Sequence, residues 1–295
     1  MEDRAKGALY GVLAYGLWGF FPLYFKAVAK VPATEVLAHR IFWSFLVLLV
    51  LVAVTRRGGE IRAVFRNRKA AWMLCGSTLL IATNWLLFVI SVETNRVLES
   101  SLGYFINPLV NVLLGRLFLS ERLRGAQRAS LILAVSGVVL LVALHGKVPW
   151  ISLALAVTFA FYALLRKTAP VESLAGLTFE TGILVPAALC YIVWGAVSGN
   201  GAYLTGTARF DRLLPLAGII TAVPLLAFGA AARRVRLTTL GFLQYVSPTG
   251  HFLLAVFAFG EPFGKGDLAA FLLIWTGLAV YTVDAFRKFG EPPRP

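Results

Sequence analysis

The sequence predicts an all-α polytopic membrane protein with ten transmembrane helices, arranged as two inverted five-helix repeats with both termini in the cytoplasm. Its composition, the distribution of its positive charges and a repeated motif support this fold class. The chain of 295 residues is 59% hydrophobic and only 14% charged, which lies well outside the averages for soluble domains. A bilayer core of about 30 Å requires roughly 20 apolar residues per helix.

Ten apolar stretches of about this length follow one another along the chain. They cover residues 8–28, 36–54, 71–92, 97–119, 129–144, 150–165, 174–197, 213–232, 238–259 and 268–286. The first is too long for the apolar core of a signal peptide and has no small-residue cleavage site after it, so we expect a retained helix. The loops between the stretches are short, apart from the basic segment 55–69 and the Gly-rich segment 198–212, and they leave no room for a separate soluble domain.

The positive charges predict the orientation. Of the 28 Lys and Arg residues, twenty are assigned to the N-terminal side of the membrane, in loops or near the ends of spans, and seven to the other side, while Arg40 lies deeper within a span. Cytoplasmic loops carry the excess of Lys and Arg in membrane proteins, so both termini are expected in the cytoplasm. The net charge of +14 therefore reflects topology, and we expect no nucleic-acid partner.

Two similar motifs divide the chain into halves. LGYFINP ends at Pro108, thirteen residues before Glu121, and LGFLQYVSP ends at Pro248, thirteen residues before Glu261. With five spans in each half, the two copies would cross the membrane in opposite directions. We therefore predict a first repeat at residues 1–145 and a second at 146–295.

The motifs place a polar or small stripe on the fourth span of each half, because steps of three and four residues return to the same helix face. The stripes are Tyr104, Asn107, Asn111 and Gly115 in the first half, and Gln244, Ser247, His251 and Ala255 in the second. Proline interrupts backbone hydrogen bonding, so helix breaks are expected at Pro108 and Pro248. Two such helices can line the central cavity of a transporter; alternatively, the small and polar residues serve helix packing.

Charged groups within spans are candidates for function because burying them in a membrane is costly. Glu180 is the candidate for proton coupling, with a structural carboxylate bonded to neighbouring helices as the alternative. His39 and Arg40 lie near the outer surface, where they either act in gating or extend towards the lipid headgroups. His251 lies on the second stripe and either contributes to the cavity or shares an interhelical hydrogen bond.

Aromatic and amide residues supply the remaining candidates for substrate binding. Trp18 lies between glycines in GLWGFFPLYF, and Asn84 and Trp85 lie midway along the third span. With Tyr104 and Tyr245, they would give an aromatic lining suited to a planar or amphipathic solute. Each ring has the alternative of facing lipid or lying in an interfacial belt.

Four segments of the sequence resemble a known family, the RarD-type permeases of the EamA family in the drug/metabolite transporter superfamily. They are NWLLFVISVETNRVLESSLGYFINPLVNVLLGRLFLSER (84–122), PATEVLAHRIFWS (32–44), AFYALLRK (160–167) and TLGFLQYVSPTGHFLLAV (239–256). The resemblance runs through nearly the whole chain, and RarD proteins are named for an association with chloramphenicol sensitivity.

The resemblance implies a ten-helix carrier of the bacterial inner membrane that moves small organic solutes by alternating access. It also implies a cavity formed by helices one, three and four of each half. In this sequence the corresponding lining positions are Trp18, Asn84, Trp85, Tyr104, Asn107, Gln244 and Tyr245. The second stripe differs from the first in residue type, so the expected cavity is asymmetric.

These features favour a secondary transporter, an exporter of a drug-like compound or metabolite, driven by protons or by the solute gradient. No GxxxxGK[ST] phosphate loop, HExxH metal site or GxSxG elbow occurs in the sequence, so we expect neither an ATPase nor an intramembrane enzyme, and no cofactor or metal. A membrane scaffold without transport activity remains the alternative. It would turn the proline-bearing faces towards lipid or a partner.

Overall fold

The fold is entirely helical in the part of the chain that the structure describes. A computed structural model describes residues 2–93, 97–145, 150–203, 208–258 and 264–289, and no β-strand occurs in these ranges. Glu261 of the repeated motif and the predicted boundary between residues 145 and 146 lie outside them.

Seven α-helices form the first half of the chain. They are α1 (Glu2–Gly19), α2 (Phe21–Ala27), α3 (Ala33–Val54), α4 (Gly58–Arg66), α5 (Arg68–Glu93), α6 (Val97–Leu119) and α7 (Gly125–His145). Six α-helices and a π-helical turn form the second half. They are α8 (Trp150–Thr168), α9 (Ser173–Ser198), α10 (Ala208–Arg234), α11 (Leu237–Gln244), α12 (Val246–Leu253), the π turn (Leu254–Ala258) and α13 (Lys265–Phe289).

The helices confirm a multi-span membrane protein. Seven described stretches are long and apolar enough to cross a membrane, and two shorter apolar helices accompany them. The seven are Asp3–Ala27, Ala33–Val54, Arg68–Phe88, Gly125–Leu144, Trp150–Thr168, Ser173–Ser198 and Arg209–Arg234; the shorter helices are Gly103–Leu119 and Leu268–Asp284. Each of the ten predicted apolar stretches coincides with one or more helices, while the count of ten spans stays a prediction.

The basic segment 55–69 differs from its expected form as a loop. It contains α4, whose Val64 is buried against Leu74 of α5 and Phe179 of α9. Hydropathy over a membrane-length window misses such a helix, because it is only nine residues long and its apolar residues alternate with charged ones.

The prolines act differently from one helix to another. α6 runs without interruption through Pro108. The helix break expected at this residue is therefore absent, and the proline lies inside a continuous helix. The ninth apolar stretch is interrupted at Tyr245, between α11 and α12 and three residues before Pro248. The proline ring crowds the preceding turn, which explains why the interruption lies on the N-terminal side of Pro248. Both Pro108 and Pro248 are buried.

Three pairs of helices that begin 140 residues apart pack against each other. α3 and α9 begin at Ala33 and Ser173, and α7 and α13 begin at Gly125 and Lys265. α3 contacts α9, α7 contacts α13, and α6 contacts α11.

The contact between α7 and α13 is reciprocal. A Cβ atom added to Gly137 would lie 2.8 Å from the carbonyl oxygen of Ala270, and one added to Gly277 would lie 2.8 Å from that of Ser130. Gly277 and Ala270 lie 140 residues after Gly137 and Ser130. Each helix therefore presents an equivalent glycine to an equivalent site on its partner. The missing side chains allow the two backbones to approach closely.

Ion pairs and hydrogen bonds join the helix ends at one end of the bundle, called here the basic end. Arg234 of α10 binds Asp3 of α1, and Arg124 lies 3.7 Å from Asp284 of α13. The carboxylate of Glu121 accepts the backbone N–H groups of Leu237 and Thr238 at 2.7 and 2.9 Å. Glu121, from the first half, therefore caps the start of α11 in the second, where the helix dipole favours a negative charge.

Candidate functional site

A cluster of aromatic rings surrounds Arg40 at the centre of the candidate site. The guanidinium carbon lies 5.7, 5.5 and 5.4 Å from the ring centroids of Phe21, Phe25 and Trp85. Its Nε donates a hydrogen bond of 3.0 Å to the hydroxyl of Thr221 on α10. The side chain thus points into the bundle. It does not extend towards the lipid headgroups, which was the alternative to a role in gating.

More rings extend this cluster, and they come from α5, α6 and α12. Phe88 lies with its centroid 6.0 Å from that of Phe25 and 6.5 Å from that of Tyr104. The ring of His251 meets Tyr104 edge to face at 6.0 Å. His251 Nε2 lies 2.9 Å from the backbone oxygen of Trp18; because a carbonyl oxygen only accepts, this nitrogen carries the proton.

We call this set the ring site. It consists of Trp18, Phe21, Phe25, Arg40, Trp85, Phe88, Tyr104 and His251, and each member is half-buried. They come from α1, α2, α3, α5, α6 and α12, so six helices bring these ring faces and a single cation together.

The indole of Trp18 also belongs to the packed core. Its centroid lies 5.4 Å from that of Tyr15, 5.8 Å from that of Phe159 and 5.7 Å from that of Phe228. Trp18 therefore meets the ring site through its backbone carbonyl, while its indole holds α1 against α8 and α10.

The predicted amides lie apart from the ring site and join helices. Asn84 donates 2.9 Å hydrogen bonds to the backbone oxygen of Leu155 and the hydroxyl of Thr158, both on α8. Asn107 donates to the backbone oxygen of Ala156, also on α8, at 2.6 Å.

The second stripe meets the first through amides. Asn111 donates to Asn107 Oδ1 at 3.0 Å and to Gln244 Oε1 at 3.3 Å, and all three are buried. Tyr245, also buried, donates its hydroxyl to the backbone oxygen of Phe105 at 3.3 Å. α6, which carries Pro108, therefore touches α11 and the residue between α11 and α12 directly through polar groups at this level.

Glu180 lies in a buried polar cluster towards the basic end. Its carboxylate accepts hydrogen bonds from the hydroxyls of Ser77 and Tyr162, the latter at 3.4 Å. Arg166 Nη1 lies 3.6 Å from Glu180 Oε1, and both side chains are 2% exposed. The two charges compensate each other, which a low-dielectric environment requires.

His39 faces a different group from its neighbour Arg40. Trp43 Nε1 donates to His39 Nδ1 at 3.1 Å, so His39 accepts at that nitrogen. Its Nε2 lies 3.9 Å from Glu35 Oε1. The same Glu35 oxygen accepts the backbone N–H groups of Ala202 and Tyr203 at 2.7 and 3.3 Å, tying α3 to the segment after α9.

Arg166 is the residue that sequence reasoning placed least well. The sixth apolar stretch was expected to end at residue 165, with Arg166 in a basic loop, but α8 continues to Thr168 and buries Arg166. Tyr162 and Arg166 lie four residues apart on one helix face and both contact Glu180, so the i, i+4 spacing of AFYALLRK was the available signal.

Three rings of the site, Phe21, Phe25 and Phe88, also escaped the sequence analysis. Phe21 and Phe25 are four residues apart and share one face of α2, but the same spacing fits a lipid-facing pair. In the described residues, no group of three or more His, Cys, Asp or Glu side chains is placed to hold a metal ion.

Comparisons with known proteins agree on a transporter family. Residues 5–143 match the EamA-like transporter family. The chain is 44% identical over 284 residues to the protein RarD of Escherichia coli (strain K12), covering 96% of both chains. It is 32% identical over 298 residues to the chloramphenicol-sensitive protein RarD of Pseudomonas aeruginosa, covering 100% of this chain and 99% of the other.

A solved crystal structure has the same fold. It superposes with a TM-score of 0.72 at 24% sequence identity, covering 98% of this chain and 100% of the other. At this identity the likeness concerns the fold alone.

Proposed function

Because the chain belongs to the EamA-like transporter family as a RarD-type permease, we propose that it is a secondary transporter of small organic solutes. It moves drug-like compounds or metabolites outwards across the bacterial inner membrane. Alternating access exposes one site to each side in turn, with protons or the solute gradient as the source of energy.

The convergence of half-buried rings from five helices around Arg40, on a sixth, is the observation that supports this function best. A scaffold has no need to keep accessible ring faces and a cation inside a bundle. A transporter needs such an interior site, apolar enough to bind an organic solute and polar enough to orient it.

We further propose that the halves 1–145 and 146–295 are inverted repeats of five spans each. The 140-residue spacing between paired helices supports this division, as does the reciprocal packing of Gly137 and Gly277. Two halves related by a two-fold axis in the membrane plane can rock against each other about a fixed site.

The predicted binding residues take two roles in this proposal. Trp18, Trp85, Tyr104 and His251 contact the solute. Asn84, Asn107, Gln244 and Tyr245 form the wall behind it and fix the helix positions through their hydrogen bonds. Tyr104 and His251 connect the two halves and would move relative to each other when the halves rock.

Closure would occur at two levels. Glu180, ion-paired with Arg166, closes the basic end and is the group for proton coupling. His39 and Arg40 belong to the opposite end, where Glu35 and His39 tie α3 to the segment after α9.

Flux assays with the purified protein in liposomes test this function. Solute uptake and exchange are measured with and without an imposed pH gradient, on a panel that includes chloramphenicol and aromatic amino acids. Protein-dependent flux of any solute supports a transporter. No flux across a broad panel, from protein shown to be folded and inserted, supports a scaffold.

A further inference from the structure

Arg40 has no described carboxylate partner. Among the residues whose side chains the structure describes, a set that leaves out 92–102, its close contacts are the hydroxyl of Thr221 and three aromatic rings. Arg166, the comparable arginine near the other end of the bundle, has Glu180 at 3.6 Å. Glu180 is also the residue 140 positions after Arg40, so a cation and an anion occupy equivalent places, and of these two only the anion has a described partner of opposite charge.

An unpaired cation inside a membrane bundle is costly to keep. Removing an ion from water costs several kcal/mol, and cation–π contacts recover only part of this cost. A protein retains such a group where a ligand supplies the opposite charge. The hydroxyls of Tyr24 and Tyr104 interact electrostatically with Arg40, but they are neutral groups and do not balance it.

The geometry of the guanidinium favours a planar acceptor. The described hydrogen bond uses Nε, which fixes the plane of the group against Thr221 on α10. The two terminal nitrogens have no described acceptor and present the paired N–H edge that binds a carboxylate through two parallel hydrogen bonds.

The surrounding rings define the rest of the ligand. Trp85, Phe88, Tyr104 and His251 offer apolar faces and edges that suit a flat hydrophobic body. The rings of Phe21, Phe25 and Trp85 are already engaged by Arg40, so they form no vacant cage for a second cation. The ring site contains no carboxylate that would bind an ammonium group.

From these observations we infer that the transported solutes are monocarboxylates with an aromatic or similarly flat apolar body, and that Arg40 binds the carboxylate while the ring site holds the body. This inference rests on the proposed transport function and specifies its substrate class. One unpaired positive charge matches one negative charge, so a net monoanion is preferred over a zwitterion, a neutral analogue or a cation.

A set of solutes that share one phenyl body tests the charge preference. The set is 3-phenylpropanoate (anion), 3-phenylpropanamide (neutral), phenylalanine (zwitterion) and 3-phenylpropylamine (cation). Binding to the full-length protein in lipid nanodiscs is measured at neutral pH, because binding does not depend on turnover. Exchange of the same solutes is then followed in proteoliposomes, with empty liposomes as the reference for passive entry.

Three variants separate the effect of the Arg40 charge from any effect on folding. Arg40→Gln removes the charge but keeps a hydrogen-bonding side chain, and Arg40→Lys keeps the charge but loses the planar fork. Arg116→Gln is the matched control, because Arg116 is exposed on α6. We expect wild-type protein to bind the anion about tenfold more tightly than the amide, and Arg40→Gln to abolish this preference with little effect on the amide. Arg40→Lys should keep part of the preference, and Arg116→Gln all of it.

The outcomes distinguish the inferred substrate class from the proposed transport function. If wild-type protein binds the amide, the zwitterion or the amine as well as the anion, or if Arg40→Gln keeps the preference, the inference is wrong while transport can stand. Failure of all four solutes to bind wild-type protein also contradicts the inference. Absence of flux for every solute in the broader panel would contradict transport itself.

Discussion

The ring of His251 meets the ring of Tyr104 edge to face, with centroids 6.0 Å apart. A second contact mirrors this one, the 3.3 Å hydrogen bond from Asn111 to Gln244. His251 lies 140 residues after Asn111, and Gln244 lies 140 residues after Tyr104. The two contacts therefore join equivalent positions, once through rings and once through amides, as expected for a self-complementary interface between related halves.

Double-mutant cycles should detect both contacts as couplings between the halves. Tyr104→Leu and His251→Leu, singly and together, are expected to show a coupling of about 0.5–1.5 kcal/mol, the range for aromatic pairs. The Asn111→Leu and Gln244→Leu cycle should give about 0.6 kcal/mol, the average for interhelical hydrogen bonds in membranes. Unfolding in mixed micelles measures both. Additive single effects in both cycles would contradict direct contact.

The packing of α7 against α13 predicts matched effects at two distant positions. Gly137→Leu and Gly277→Leu should each lower the thermal unfolding temperature markedly and to a similar extent, because each side chain would collide with a backbone carbonyl of the partner helix. Gly16→Ala is the control, since an added Cβ there has open space. Tolerance of either leucine substitution would contradict the close approach.

Hydropathy predicted the helical elements well because the bilayer imposes a length and a composition on each span. α6 begins and ends where the apolar stretch 97–119 does, and most of the other long helices differ from their stretches by a few residues. The first and ninth stretches are each divided into shorter helices, and α4 lies outside all ten. The motif spacing also anticipated the direct meeting of the two proline-bearing helices, although it could not distinguish a cavity wall from a hydrogen-bonded contact.

The rotation of each helix was harder to predict, because most positions in such a chain are apolar on every face. Phe21, Phe25 and Phe88 look like lipid-facing rings in the sequence. Only the folded bundle turns Phe21 and Phe25 towards Arg40, and Phe88 towards Phe25. Arg166 looked like one more loop arginine for the same reason. Its partner Glu180 belongs to the next helix, and no periodicity within a single segment reveals that pairing.

Cysteine labelling tests the predicted orientation. Single cysteines at Gly59 and Gly199, in a background with Cys75→Ala and Cys190→Ala, should react with an impermeant maleimide from opposite sides of the membrane. A cysteine at Gly125, at the basic end, should react from the same side as one at Gly59. Labelling of Gly59 and Gly199 from one side would overturn the predicted topology.

Asn107→Leu should abolish transport while leaving membrane insertion intact. The change removes the hydrogen bond to the Ala156 carbonyl and the acceptor for Asn111, so α6 loses its polar ties to α8 and to the rest of the stripe. Flux in proteoliposomes and protein recovered in the membrane fraction are the measurements. Asn200→Leu, on an exposed residue, serves as the control, and wild-type flux from Asn107→Leu would argue against the stripe.

Glu180→Gln has a structural consequence that must be separated from any coupling role. Loss of the carboxylate leaves Arg166 buried without its counter-charge, and breaking one partner of a buried ion pair typically costs about 3–5 kcal/mol. The double variant Glu180→Gln/Arg166→Gln removes both charges, so we expect it to regain much of the lost stability in thermal unfolding. An equal loss in the single and double variants would mean that the ion pair is not what the carboxylate stabilises.

The double variant also tests whether Glu180 couples transport to protons. If Glu180 couples transport to protons, flux through Glu180→Gln/Arg166→Gln should proceed without responding to an imposed pH gradient, whereas wild-type flux should follow the gradient. Arg166→Gln alone, which keeps the carboxylate, should retain a response. A double variant that follows the gradient like the wild type would assign Glu180 a purely structural role, because no titratable carboxylate would remain at that position to carry the proton.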